Sequence, residues 1–352
     1  MIFIGDIALP KGVIPKVDYL PECFTQPVIA NLEGVIAIKN SISTKDMKLF
    51  NDEDVLSFLK QINVKVVSLG NNHITDIPDS FENTKKLLDI NDIAYCGAGY
   101  SFDEASKAAI LKEGEKIYAF LSFGWDVIGC KYVGKYDLGV NPLEKDNVVK
   151  CIKNARKIYP EAKIIVLPHW DYELEIYPQP MHRELARIAI DAGADAIFGH
   201  HSHCVQGIEF YKRKPIVYSL GNWFIPNGVY SNGRSRFPEY SRTQVAIEWD
   251  GENIICHWFE YEPNEHELKY VKSEDLKESL YMKKMSCFSE MDIPEYIEWF
   301  KKNRKKKRLL PIYKYNDSYL ENKVKDFWVI SRQKIITTLF KLGLKRTRKG
   351  VK

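Results

Sequence analysis

The segment Gly199-His200-His201-Ser202-His203 puts three imidazoles in four positions directly after the apolar run Ala194-Asp195-Ala196-Ile197-Phe198. His201 and His203 form an H-x-H pair able to reach one ion from the same extended loop, and neutral imidazole suits Zn, Mn, Fe or Ni. A solvated loop that merely happens to be rich in histidine is the plainer alternative for any one of them. Other polar residues follow short apolar runs elsewhere: Asp6 after Ile2-Phe3-Ile4-Gly5, Glu33 after the run from Pro27, Asn72 and His73 after Val64 to Leu69, and His169 after Ala162 to Leu167. Together they offer the shared carboxylate and the O and N donors that two ions about 3.5 to 4 Å apart require, with positions left for water and a phosphoryl oxygen. One ion could take Asp6, Glu33 and His203, and the other Glu33, Asn72, His169 and His201, with Glu33 bridging. His73, one residue from a ligand, could donate a proton to a leaving oxygen. Taken singly, Asp6 and Glu33 are equally well explained as turn or capping carboxylates, and Asn72 as a tight-turn residue.

The elements that must position these residues repeat one pattern, a buried strand ending in a polar tip, with helices between. Helical spacing spans Asp54 to Gln61, Phe81 to Leu88, Val148 to Ile158 and Met181 to Ala192. Strands are predicted at the residues before each tip, at Ile93 to Cys96, and at Val205 to Tyr211 and Pro215 to Ser219. Such stacked βα units bring their strand ends together, where open α/β sheets build sites. Two hairpins are predicted, one joining Ala108 to Leu111 with Ile117 to Phe123 and one turning at Asp250-Gly251. From Ser273 the chain changes to Lys-rich helical patterns and a last helix from about Ser318 to Leu342, so a first domain over 1–265 and a helical, basic appendage over 266–352 are expected.

The ordered set Gly-Asp at 5–6, Asn-Leu-Glu-Gly at 31–34, Asn-Asn-His at 71–73, Cys-Gly-Ala-Gly at 96–99, His-Trp-x-x-Glu at 169–173, Gly-Ala-Asp-Ala-Ile-Phe-Gly-His-His-Ser-His at 193–203 and Tyr-Ser-Leu-Gly-Asn-Trp at 218–223 resembles the CapA family of capsule and poly-γ-glutamate biosynthesis proteins. That family is similar to the calcineurin-like metallophosphoesterases. The resemblance, over roughly residues 1 to 262, implies an α/β fold, a four-layer αββα sandwich of metallo-dependent phosphatase type, with two divalent ions. It implies that Asp6, Glu33, Asn72, His169, His201 and His203 are ligands and His73 the proton donor, with Glu173, Asn222 and Trp223 lining the pocket. His200 is expected as a substrate or outer contact, and Asp171, where the family commonly has glycine, adds an acidic group near the site. Two further departures stand out: Ala8 occupies the position where the phosphoesterases usually place a histidine, and Glu33 replaces the usual bridging aspartate.

Composition sets the remaining limits. The 352 residues are 45% hydrophobic and 28% charged with a net charge of +4, ordinary for a globular protein. The charge is unevenly spread: from Phe300 onward there are 18 Lys and Arg against 3 Asp and Glu, a net +15, whereas the preceding part has 33 against 44, a net −11. No apolar stretch approaches the length of about 18 residues needed to span a bilayer. Met1 leads straight into the first strand without a basic leader or long apolar segment, so the expected compartment is the cytoplasm, with the tail peripheral at the inner face of the membrane. Seven widely spaced cysteines with no C-x-x-C read as reduced thiols.

The function expected is a metal-dependent phosphoesterase acting on a phosphorylated small molecule or glycan intermediate of a surface polymer. The alternative is a non-catalytic metal-binding component of a capsule or poly-γ-glutamate synthesis complex. The basic tail is matched to an anionic membrane surface or an acidic polymer. Nucleic acid is disfavoured, because the body is acidic and no reader motif is present.

Overall fold

The computed structural model describes residues 1–10, 12–38, 48–135, 137–233, 235–305 and 309–341. Its centre is a pair of sheets packed face to face. The first runs in the order Lys16–Val17, Glu267–Asp275, Ile254–Glu262, Thr243–Trp249, Ile2–Ile7, Val28–Leu32, Val64–Ser68 and Ala94–Cys96, with Asn222–Phe224 added in parallel to the end of Ile2–Ile7. The second runs Ile208–Tyr211, Lys214–Val217, Ala196–Phe198, Lys163–His169, Lys116–Gly124 and Ala109–Glu113. The strands that end at Asp6, near Glu33 and near Asn72 are parallel neighbours in the first sheet, and those ending at His169 and before His200 are parallel neighbours in the second.

Strand alternation sorts side chains into the layers. Phe3, Ile29 and Val66 point from the first sheet into the seam, where they meet Phe120, Ile165, Phe198 and Val217 of the second. Their neighbours Ile2, Ile4, Val28 and Ala30 point the other way, onto the helices Val55–Gln61 and Phe81–Ile90. On the far side Ala119, Ile164 and Val166 pack against the helices Lys145–Ile158 and Pro180–Asp191. The result is the four-layer αββα sandwich. Both predicted hairpins form, Ala109–Glu113 with Lys116–Gly124 and Thr243–Trp249 with Ile254–Glu262.

The expected boundary at residue 265 is corrected: Glu267–Asp275 pairs along its whole length with Ile254–Glu262 and belongs to the first sheet. Its Lys-rich polar face disguised a strand that is apolar on one side only. The helical segment beyond it is likewise not a separate unit. Tyr296, Phe300, Tyr313 and Val329 are buried in the core formed by the second sheet and its helices. The last helix, Tyr319–Lys341, starts as expected, while Leu342 lies outside the described residues, as do Lys306, Lys307 and Arg308 of the basic run.

Phe3 and Phe198 stack at a centroid separation of 3.6 Å across the seam. Phe198 immediately precedes the Gly199-to-His203 loop, so truncating it empties the seam beneath the site. Phe198→Ala is expected to lower unfolding free energy by about 3–5 kcal/mol in urea denaturation; a loss below about 1 kcal/mol would show that the seam collapses without cost.

Candidate metal centre

Glu33 follows the strand Val28–Leu32, and its backbone N–H donates to the Ile7 carbonyl at 2.8 Å, which pins the residue beside Asp6. Gly34 makes the turn: it has φ +83°, and a Cβ there would lie 2.5 Å from the Leu49 carbonyl oxygen. Asn71 fastens the neighbouring tip. Its amide donates to the Leu32 carbonyl at 2.9 Å and to Asn31 Oδ1 at 3.2 Å, and its own oxygen accepts from the N–H groups of Gly34 and His73. Asn31 in turn donates to Asp6 Oδ1 at 2.8 Å.

The second sheet delivers the imidazoles. His169 and His200 are bridged in parallel at the ends of their strands, and the loop beyond carries His201 and His203 back across the seam. Both adopt left-handed backbone, φ 91° and 55°, a conformation that costs roughly 1–3 kcal/mol for such residues and clusters at functional sites.

The donor atoms converge around Glu33. Its Oε1 lies 3.8 Å from His169 Nε2 and 3.9 Å from both His203 Nε2 and His73 Nε2, yet neither of its oxygens has a hydrogen-bond partner. Two donor groups share it, Asp6 with Glu33 and His203, and Glu33 with His169 and His201, each set lying within 4.8 Å. Asn72 Oδ1 adds a donor to the second group, 2.8 Å from His169 Nε2, which is itself 3.1 Å from His201 Nδ1. Separations of this size are what atoms about 2.0–2.2 Å from a common ion make with one another. The residues present therefore fit divalent cations, with Glu33 common to both donor groups.

The electrostatics agree. Burial raises the Glu33 carboxyl to about 7 against the pull of His203. Burial also favours the neutral acid at Asp6, but the hydrogen bond and charge of His203, with His200 and Asn31, hold it below the usual range. Desolvation and the neighbouring rings push His169 and His201 far below the ordinary imidazole range, leaving them neutral and able to coordinate. At His203 desolvation is overcome by Glu33 and Asp6, and its value rises to about 10, so an ion taken there would have to displace the ring's proton. His73 Nδ1 lies 2.7 Å from Asp76 Oδ2; because a carboxylate only accepts, the ring donates there and Nε2 is left to the site.

A cleft of about 860 Å³ opens above this cluster. Asn72, His73, Glu173, His201 and His203 form its floor and wall, Lys48 and Arg236 line one side, and Arg332 and Thr337 of the last helix line another. Of the residues expected to touch substrate, only Glu173 lies on this surface.

Four expectations are corrected. Trp223 does not line the pocket: it points away from the site into the first sheet's helix-facing core, 4.9 Å from Phe259 and 5.6 Å from Phe24, because alternation aims Asn222 at the site and its neighbour away. Asn222 is buried behind His203, with its Oδ1 2.8 Å from His203 Nδ1, and does not line the cleft. His200 is sealed between the sheets with Nε2 3.3 Å from the Ile4 carbonyl. Asp171 is buried too, accepting from the Gln179 N–H at 2.7 Å and from His182 Nδ1 at 2.6 Å. Ala8 packs with Phe50, Ile225 and Tyr230, so the side chain at that position reaches no ion.

The reading from sequence missed Asn31, Asn71 and Asp76. The doublet Asn71-Asn72 was the available signal, and only its second member was assigned. A third group of ligand-type side chains, Cys23, Glu248 and His257, lies at the other end of the first sheet. His257 is satisfied there without an ion, its nitrogens 2.6 Å from Ser273 Oγ and 3.2 Å from Glu248 Oε2. Glu33 has no such partners.

Elemental analysis is expected to find about two ions per chain, and Glu33→Gln to remove both. Because the substitution also removes a buried carboxylate without donors, the chelator-treated variant should be more stable than chelator-treated wild type by about 1–3 kcal/mol. Two ions retained in the variant would show that Glu33 is not shared.

The family-model match takes in every residue of this cluster except Asp6. Residues 18–227 match the family model described as bacterial capsule synthesis protein PGA_cap. The chain is 30% identical over 271 residues to the PGA biosynthesis protein CapA of Bacillus subtilis, covering 71% of this chain and 68% of that protein. It is 29% identical over 241 residues to the capsule biosynthesis protein CapA of Bacillus anthracis, covering 68% of this chain and 56% of that protein, so it spans little more than half of this second relative. Among solved structures it is similar to a 5'-nucleotidase precursor from Thermus thermophilus, with 13% identity, a TM-score of 0.37, and coverage of 63% of this chain and 40% of that one. A likeness of that size says nothing about activity.

Proposed function

The chain belongs to the bacterial capsule synthesis protein PGA_cap family, and from that premise we propose that its cleft hydrolyses a phosphate ester, with a phosphorylated intermediate of capsule or poly-γ-glutamate synthesis as the substrate class. The observation that carries the reading is Glu33, a buried carboxylate shared by two sets of donors and hydrogen-bonded by none. A purely structural ion closes its coordination sphere with four protein ligands, whereas here Asn72, His201 and His203 of the donor set line an open cleft.

In this reading Asp6, Glu33 and His203 would hold one ion, and Glu33, Asn72, His169 and His201 would hold the other. Divalent ions bound there would supply Lewis-acid polarisation of a phosphoryl oxygen and a more acidic water as nucleophile. Lys48 and Arg236 bind the phosphate from the cleft wall and steer it in. His73, held by Asp76, gives the proton at Nε2 to the leaving oxygen. Asn222 keeps the His203 ring turned toward the carboxylates, and the left-handed backbone at His201 and His203 fixes the approach of both rings.

A second reading, metal-dependent binding without turnover, is favoured by Ala8, since the first strand supplies one donor fewer than the phosphoesterases usually have. Hydrolysis of an aryl phosphate and an aryl phosphodiester with added Mn or Zn separates the two. Wild type is expected to turn over at least one ester, and His201→Ala to bind less metal and lose turnover. His73→Ala should keep its ions while kcat falls by about 10²–10⁴. Ions bound without cleavage of either ester would move the assignment to the binding reading.

A further inference from the structure

The last helix, Tyr319–Lys341, has two working faces. The inner one is anchored: Val329 is buried in the second core, the Tyr313 hydroxyl donates to Asp326 at 2.9 Å, and Lys325 pairs with Asp317 at 2.5 Å. Further along, Arg332, Gln333, Ile336 and Thr337 continue that face over the cleft. The outer face carries Leu320, Val324, Phe327, Trp328 and Ile335, spaced 4, 3, 1 and 7 apart and thus on one helical stripe. All are well exposed, Phe327 at 74% and Trp328 at 60%. An aromatic and aliphatic stripe of this length is more than scattered surface apolarity.

We propose that this outer face docks onto an anionic lipid surface, with the helix lying in the plane of the headgroups. Three observations select this occupant. The segment from Phe300 onward has 18 Lys and Arg against 3 Asp and Glu, and basic residues flanking a Trp- and Phe-bearing apolar face are the composition of helices that bind at the interface of anionic membranes. A second copy would bring a segment of the same net +15 with it, so like charges oppose self-association through this segment. No helix among the described residues is long and apolar enough to cross a membrane, which leaves attachment along the surface as the use of the stripe. Because the helix's other face lines the cleft, docking places the cleft beside the membrane surface. The docking holds whether or not the cleft hydrolyses phosphate.

Sedimentation of the full chain with vesicles of phosphatidylcholine alone, or of phosphatidylcholine with one third phosphatidylglycerol, tests this. Wild type should partition at least about tenfold more strongly onto the anionic vesicles, and lose that preference at high salt. The double variant Phe327→Ser/Trp328→Ser should bind them about tenfold or more weakly while its ion content and circular dichroism stay those of wild type, since Phe327 stands in solvent and Trp328 gives up one exposed hydrogen bond, to the Leu309 carbonyl. Equal binding by wild type and the variant overturns the proposal, as does absence of binding to anionic vesicles. A dimer in solution that the double variant dissociates, without vesicle binding by wild type, also overturns it and gives the face to a second copy.

Discussion

A carboxylate sealed from water and offered no hydrogen-bond donor is costly to retain, and Glu33 is such a group. Its Oε1 stands at nearly equal distances from three imidazoles, which do not hydrogen-bond it. A protein interior that satisfies almost all its polar groups leaves one in this position where something else balances the charge. The surrounding structure is arranged to keep it there: the Ile7 carbonyl and the Asn31, Asn71 and Asp6 network fix the backbone on one side, and the His-rich loop supplies nitrogen on the other.

That arrangement needs both sheets. Asp6, Glu33 and Asn72 come from strand ends of the first sheet, and His169, His201 and His203 from those of the second, so the cluster sits over the seam. The packing of Phe3 on Phe198 and of Ile29 and Val66 against Phe120 and Ile165 sets the distance between the two halves. Close-packed seams of this kind transmit small displacements, which ties ligand geometry to core packing well below the site. The unfavourable backbone at His201 and His203 is tolerable because this frame over-determines it.

Charge is divided as sharply as the fold is unified. An acidic body carries a basic C-terminal segment whose residues Phe300, Tyr313 and Val329 are sunk into the core, which ties its described part to the sandwich. Its last helix contributes Arg332 to the cleft that holds the candidate centre. The part of the chain that differs most from the sandwich in composition thus completes the surroundings of the site.

Much of this was legible in the chain itself. Period-two alternation, β-branched runs and helical spacing determined the strands, the helices, the Asp-Gly hairpin and the order of the polar tips, because these depend on local geometry. Residue type alone determined that His201, His203, His169, Glu33 and Asp6 were suited to metal. What only the tertiary structure decided was which neighbours face the same way across the seam. It turned Asn222 toward His203 and Trp223 into the core, buried His200 against Ile4 and tied Asp171 to His182, although in sequence all four lie as close to the tips as the residues that converge. It also extended the first sheet to Asp275 and recruited Asn31, Asn71 and Asp76. The physical reason is that a side chain's direction at a strand end depends on the turn that follows and on the packing partner opposite, and neither is encoded in the few residues around it.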